Sequence, residues 1–233
     1  MKRSVQPEWL DELLANDPQA IASRRDLHRL NRIMGHADIL CDLLESSASK
    51  KAPKRIMELG AGDGTFMLGV AQRLARRWPA VELVLLDCKD AVTDATRRGY
   101  ETLGWKLEVV AADVFDFLKK AATGPTDVIT ANLFLHQFST EQLQLMLRLA
   151  AERTRVFAAC EPRRAGLPLL FSRLVGFIGC NAVTRYDAPL SVRAGFVQQE
   201  ISALWPAHGN WSLCERPARL FTHAFLAERN ADA

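Results

Sequence analysis

Residues 55–66 read Arg-Ile-Met-Glu-Leu-Gly-Ala-Gly-Asp-Gly-Thr-Phe: a short, mostly apolar run, then glycines at 60, 62 and 64, then the start of a helical pattern. A strand that closes on such a loop and passes into a helix turns backbone amides and the helix N-terminus toward one point. The missing side chains let an anionic or nucleoside ligand come close. The dinucleotide fingerprint places its third glycine five positions after the first. Thr65 stands there instead, so the spacing is G-x-G-x-G. That departure, with the lack of a Tyr-Lys pair of the short-chain type, disfavours a nicotinamide-dependent oxidoreductase.

Outward from the loop, short apolar runs at 55–59, 81–87, 105–111, 127–134 and 155–160 alternate with helical patterns near 64–77, 91–102, 115–121 and 139–152. Alternation of this kind predicts βαβ units and a mostly parallel sheet covered on both faces, an α/β fold. Ser139 and Gln142 form a capping box for the fourth helix. Upstream, residues 7–48 read as helix throughout, with Asp17-Pro18 as N-cap and first-turn proline, and 46–53 as a polar linker. Downstream, 167–180 is nearly all apolar apart from Arg173 and too short to span a bilayer, so a buried or lid helix is expected. Residues 211–215 and 220–226, flanking Arg216-Pro217-Ala218, read as a closing antiparallel hairpin.

The whole chain of 233 residues, 48% hydrophobic and 24% charged, suits one sizeable domain with an appendage. The net charge is +3, and the arginine pairs at 24–25, 76–77, 97–98 and 163–164 are scattered rather than gathered into a nucleic-acid footprint. Five cysteines without a C-x-x-C pair predict reduced, mostly buried thiols and no metal. Acids in the first residues argue against an export signal, so the cytoplasm is the expected location.

Two acids extend the loop's argument. Asp87 closes the second run, where a carboxylate can accept from both hydroxyls of a ribose; Cys88 follows it at the same tip. Asp113 and Val114 follow the third run, where Asp113 can accept from an exocyclic adenine amine, cap the next helix, or do both.

Glu58, Gly60, Ala61, Gly62, Asp87, Asp113 and Val114, in order on three successive strands, resemble the class I S-adenosylmethionine-dependent methyltransferases over roughly residues 54–161. The resemblance implies a Rossmann-like, seven-stranded sheet ending in an antiparallel hairpin, with the cofactor across the strand C-termini. It implies that the glycine loop holds the methionine end, Asp87 the ribose and Asp113 the adenine, with Glu58 orienting the loop by accepting from its amides. The fourth run leads to Asn132 and His136 at the same sheet edge. A histidine titrating near neutrality suits general-base work on a phenol, so His136 is the candidate catalytic residue, either as that base or in orienting the acceptor. His28, His36, His208 and His223 carry less weight.

A narrower similarity, to bacterial methyltransferases that accompany type III polyketide synthases and O-methylate phenolic products, rests on Asn31-Arg32-Ile33-Met34-Gly35, the Asn-Leu-Phe-Leu-His-Gln-Phe run at 132–138, the arginine pair at 163–164 and Asp187–Phe196. It implies a helical cap at 1–50 over a catalytic domain at 51–233, with 165–195 as a lid insertion. Arg32 or Arg29 would then pair with the cofactor carboxylate. Leu167, Leu170, Phe171, Leu174 and Phe177 would line the acceptor pocket or pack in the core, and Arg163, Arg164 and Arg193 would surround its mouth. The expected partner is a small phenolic or polyketide-derived molecule, with no nucleic acid and no membrane span; a homodimer is compatible. Carbon methylation of an aromatic ring is the nearest alternative, and a non-catalytic cofactor-binding protein a further one.

Overall fold

The computed structural model describes residues 1–47, 51–120, 125–207 and 210–230. Its centre is a sheet of β1 (Arg55–Leu59), β2 (Glu82–Asp87), β3 (Lys106–Ala111), β4 (Thr126–Asn132), β5 (Thr154–Pro162), β6 (Trp211–Ala218) and β7 (Thr222–Arg229). The order is β3-β2-β1-β4-β5-β7-β6. The first five strands run parallel, and β7 joins β5 antiparallel and pairs with β6. This is the expected α/β, Rossmann-like methyltransferase architecture with its terminal hairpin.

Adjacent strand residues feed opposite faces, which is why the buried strands read as unbroken apolar runs. Ile56, Leu83 and Leu85 pack under α3 (His36–Ser46), α4 (Thr65–Leu74) and α5 (Asp94–Thr102), together with Leu40, Met67 and Tyr100. Met57, Val84 and Leu86 pack on the other face with Phe117 of α6 (Val114–Lys119) and Leu143 and Leu147 of α7 (Thr140–Ala151). Ser139 and Gln142 make the capping box at the start of α7. The sixth helix ends at Lys119, and residue 121 of its expected span lies outside the described residues, as does His208.

The hairpin differs from expectation in its turn. Strand β6 continues through Arg216-Pro217-Ala218, and the chain reverses at 219–221, where Arg219 has φ 55°. Proline is tolerated there because β6 is the edge strand, where a missing amide hydrogen leaves no neighbour unpaired.

The N-terminal segment is not one helix. A four-residue α1 (Trp9–Glu12) is followed by a break, then α2 (Pro18–Met34), capped as expected by Asp17, and α3. Gly35 separates the last two with φ 69°, a left-handed conformation in which its amide caps α2. The two helices do not share one core: α3 packs Ile39, Leu40, Leu43 and Leu44 against the sheet, whereas α2 buries Ala20, Ser23 and Asp26 and leaves Ile21 and Ile33 exposed. Beyond β5, α8 (Gly166–Arg173), a 3-10 turn at Val175–Ile178 and α9 (Ala182–Ala194) follow. Of the two expectations for this stretch, a buried or a lid helix, full burial is not met: Leu167, Leu170, Phe171, Leu174 and Phe177 are exposed, while Pro168, Ser172, Val175 and Cys180 are buried.

All five cysteines are free; Cys41, Cys160 and Cys180 are buried, and Cys88 and Cys214 are exposed. No His, Cys, Asp or Glu cluster among the described residues could hold a metal.

Candidate active site

The strand order reverses between β1 and β4, and at such a switch point the loops leaving the strand ends diverge and open a crevice. A cavity of about 330 Å3 lies there, within the range of small-molecule sites. Its wall brings together Glu58, Gly60, Ala61, Gly62, Asp87, Cys88, Asp113, Val114 and Asn132. Gly62 has φ 57° and an open space where a Cβ would stand, so the loop leaves its backbone bare toward the cavity. Gly60 is needed for packing instead, since a Cβ there would fall 2.1 Å from the Phe134 ring.

The loop is held differently from expectation. Gly60 and Ala61 donate to the Leu86 carbonyl at 2.9 and 3.1 Å, and Gly62 donates to Oδ2 of Asp87 at 2.8 Å. Asp87 thus orients the loop, while its Oδ1 accepts from Lys89 N at 3.0 Å. Glu58 accepts from no loop amide among the described bonds. It is 2% exposed, its Oε2 has no partner, and burial, with the charges of Asp63 and Asp87 adding to it, pushes its carboxyl well above the usual range. An orphaned buried carboxyl oxygen on the cavity wall is a ready acceptor for a ligand's ammonium group. The residues present therefore fit the methionine end of S-adenosylmethionine. Asp113 accepts from Phe115 N and Asp116 N at 2.8 and 3.0 Å, both through Oδ1, so it caps α6 with one oxygen.

Helix α2 closes the cavity with Arg24, Leu27, His28 and Asn31, which recur at helical spacing on one face. Arg32 does not share that face: it is exposed and off the wall, and Arg24 is the arginine at the cavity. Arg29 instead pairs with Asp26 and donates to the Ile178 and Gly179 carbonyls. Sequence reading missed Arg24, His28 and Asn31 as wall residues because it followed the apolar stripe of α2; the polar positions i, i+4 and i+7 were the available signal. His28 Nε2 bonds Asp63 at 3.0 Å and also meets the Thr65 hydroxyl. Burial would raise the Asp63 carboxyl, but the bonds from His28 and Thr65 prevail and lower it.

His136 lies behind the wall, and its assignment as a base facing the cavity does not fit the geometry. Strand β4 stops at Asn132, two residues before the expected end, because Glu161 at the tip of β5 gathers the following amides: Phe134 and Leu135 donate to Oε1 at 3.0 and 2.8 Å, and His136 to Oε2 at 3.3 Å. The imidazole then donates through Nδ1 to Glu161 at 2.8 Å and through Nε2 to Glu8 at 3.3 Å. Burial disfavours its charge, yet the bonds and charges of the two carboxylates prevail and raise its pKa to about 10. An imidazolium with both nitrogens donating has no lone pair to take a proton. Sequence reading missed Glu8 and Glu161 because the three residues meet only in space.

Asn132 is tied back as well, accepting from His36 Nδ1 at 2.7 Å and donating to Asn31 at 3.3 Å. Arg164, expected at the acceptor mouth, is buried and donates to the Gly195 carbonyl, to Glu200 and to the Met1 carbonyl. The Leu167–Phe177 apolar residues are absent from the cavity wall.

Residues 56–156 match the family model described as "Methyltransferase domain". A curated relative, the ribosomal RNA small subunit methyltransferase C of Cronobacter sakazakii, is 30% identical over 122 residues, 51% of this chain and 33% of that protein. The chain thus spans about a third of that relative's length. Among solved structures, an O-methyltransferase family protein from Burkholderia thailandensis aligns with a TM-score of 0.61 at 16% identity, over 94% of this chain and 64% of that one. The magnesium protoporphyrin IX methyltransferase of Synechocystis PCC 6803 with bound SAH aligns with a TM-score of 0.54 at 13% identity, over 97% of this chain and 90% of that one. Residues 56–156 therefore match a methyltransferase domain, and the sheet that carries them has the fold of these Rossmann-like methyltransferase structures.

Proposed function

We propose that the chain as a whole is an S-adenosylmethionine-dependent methyltransferase whose acceptor is a small molecule, a phenolic or polyketide-derived hydroxyl. The observation that carries the cofactor assignment is the unpartnered Glu58 oxygen beside a bare glycine loop, with Asp87 and Asp113 on the same cavity wall. Glu58 would receive the ammonium group, Asp87 the ribose hydroxyls and Asp113 the adenine amine, with Cys88 and Val114 beside the sugar and base. Bound there, the cofactor would supply an electrophilic methyl group on a sulfonium.

The chain's own contribution is placement, since a displacement of this kind depends chiefly on holding the acceptor in line at about 3 Å. Leu133, Phe134 and Phe138 offer an apolar wall with Gln137 as a polar anchor, which suits an aromatic acceptor. In this reading His136 is a positioning residue that fixes the turn carrying those side chains. The helices of residues 1–50 act as the cap, and 165–195 as an insertion in the catalytic domain. Such wall chemistry supports a small aromatic acceptor better than the RNA of the ribosomal relative.

Calorimetry with S-adenosylmethionine and NADH in parallel tests the first part. Only the former is expected to bind, and Asp87→Ala, by removing a charged acceptor and freeing the loop amide, is expected to weaken binding about 10-fold or more. Equal binding of both, or no change in Asp87→Ala, overturns it. A phenol panel, with the transferred methyl located by NMR, distinguishes oxygen from carbon methylation.

A further inference from the structure

Along α8, Leu167, Leu170, Phe171 and Leu174 fall at i, i+3, i+4 and i+7, and the 3-10 turn adds Phe177 and Ile178. All six are exposed, Phe177 to 88%. Arg29 of α2 donates to the Ile178 and Gly179 carbonyls, and one turn further along the same helix Ile33 is 62% exposed. A contiguous apolar face of this kind, standing clear of the core, marks an interaction surface.

Its surroundings decide what it meets. Residues 162–186 contain four arginines and no Asp or Glu. Arg173 and Arg185 are exposed around the apolar face, as is Arg32 on the neighbouring turn of α2, while Arg164 is buried in its own pairings. An apolar face rimmed by unopposed guanidiniums complements a layer of anionic headgroups over hydrocarbon. A second copy fits badly, because an isologous contact would set arginine rim against arginine rim. The acceptor is not the occupant, because none of the six side chains lines the cavity. No helix among the described residues is long and apolar enough to cross a membrane, so the face could only lie on one.

We propose that α8 and the turn after it are a docking surface for an anionic lipid bilayer, seated by Leu170, Phe177 and their neighbours and held by Arg173 and Arg185. The face lies beyond the C-terminal tip of β5, the sheet edge on which the cavity opens. The opposite flank of α2 carries the cavity residues Arg24, His28 and Asn31. Docking would therefore turn the catalytic edge toward the bilayer. This inference does not depend on the identity of the acceptor.

Sedimentation of the full chain with mixed phosphatidylglycerol–phosphatidylcholine vesicles, against pure phosphatidylcholine, tests it. The wild type is expected to pellet with the mixed vesicles and to be released by salt. Arg173→Gln and Arg185→Gln should each weaken binding about fivefold, and the double variant Leu170→Ser with Phe177→Ser should stay in the supernatant with an unchanged circular dichroism spectrum. The proposal is overturned if the wild type pellets with neither vesicle, or if the apolar double variant pellets like wild type. It is likewise overturned if ultracentrifugation shows a dimer that the double variant dissolves, which would give the face to a second copy.

Discussion

His36 and His136 flank the end of β4, one opening α3 and the other in the turn after the strand, and both are sealed from solvent at 0% and 2% exposure. Their charges nevertheless differ. His36 donates to a neutral amide oxygen on Asn132, so burial prevails and lowers its pKa to about 4. His136 meets two carboxylates that overcome the same burial and hold it near 10. Burial alone therefore does not set protonation here; the partner does. The two sites also attach different things. The neutral one pins the cap to the cavity through Asn132 and Asn31. The ionic one pins the N-terminal segment, through Glu8, to the turn that shapes the acceptor wall.

Glu161→Ala should break the comparison most severely. It leaves the buried imidazolium with Glu8 as its one remaining carboxylate and frees three amides, and losing one member of a buried ion pair costs about 3–5 kcal/mol. Urea unfolding would measure it, and a loss below about 1 kcal/mol would mean that His136 is neutral.

Next in size comes the pH profile, where the two histidines slope in opposite directions. An unfolded histidine titrates near 6.5. The raised His136 contributes stability fully present below that value and lost as pH climbs through about 10. The depressed His36 contributes stability present above 6.5 and lost as pH falls through about 4. Denaturation midpoints across pH should therefore fall away on both sides of about 6.5. His36→Leu should flatten the acid limb and leave the alkaline one.

The same His36→Leu variant should lose about 1–3 kcal/mol at neutral pH, because the Asn132 oxygen is left buried without its donor. Ser191→Ala should cost least. The Ser191 hydroxyl bonds Glu8 from α9, and its loss should remove about 0.5–1.5 kcal/mol while leaving the pH at the alkaline midpoint almost unmoved. A larger shift would mean that Ser191 helps to hold the His136 charge.

The legible parts of this molecule are those governed by nearest neighbours. Strand runs, the Ser139 cap and the glycine loop all follow from local propensity and spacing, and so does the placement of Asp87 and Asp113 at strand tips. The helical break at Gly35 was masked by an apolar stripe that runs through both helices. The burial expected of Leu167–Phe177 failed because apolar composition says nothing about whether a partner surface exists. Glu58 was correctly placed at the loop, but its bonding was not, since Asp87 from a different strand competes for the same amide.

The amino-acid order by itself determined the α/β alternation, the parallel sheet and the acids and glycines that converge at its edge, because each depends on residues close together in the chain. Only the tertiary structure decided which acid holds the loop, that Arg24 rather than Arg32 reaches the cavity, and that His136 is clamped between two carboxylates. Those outcomes turn on Glu8, His136 and Glu161, or on Asp87 and Gly62, coming together from separate elements. Electrostatic energies change with distance and solvent exclusion, and neither exists until the chain has folded.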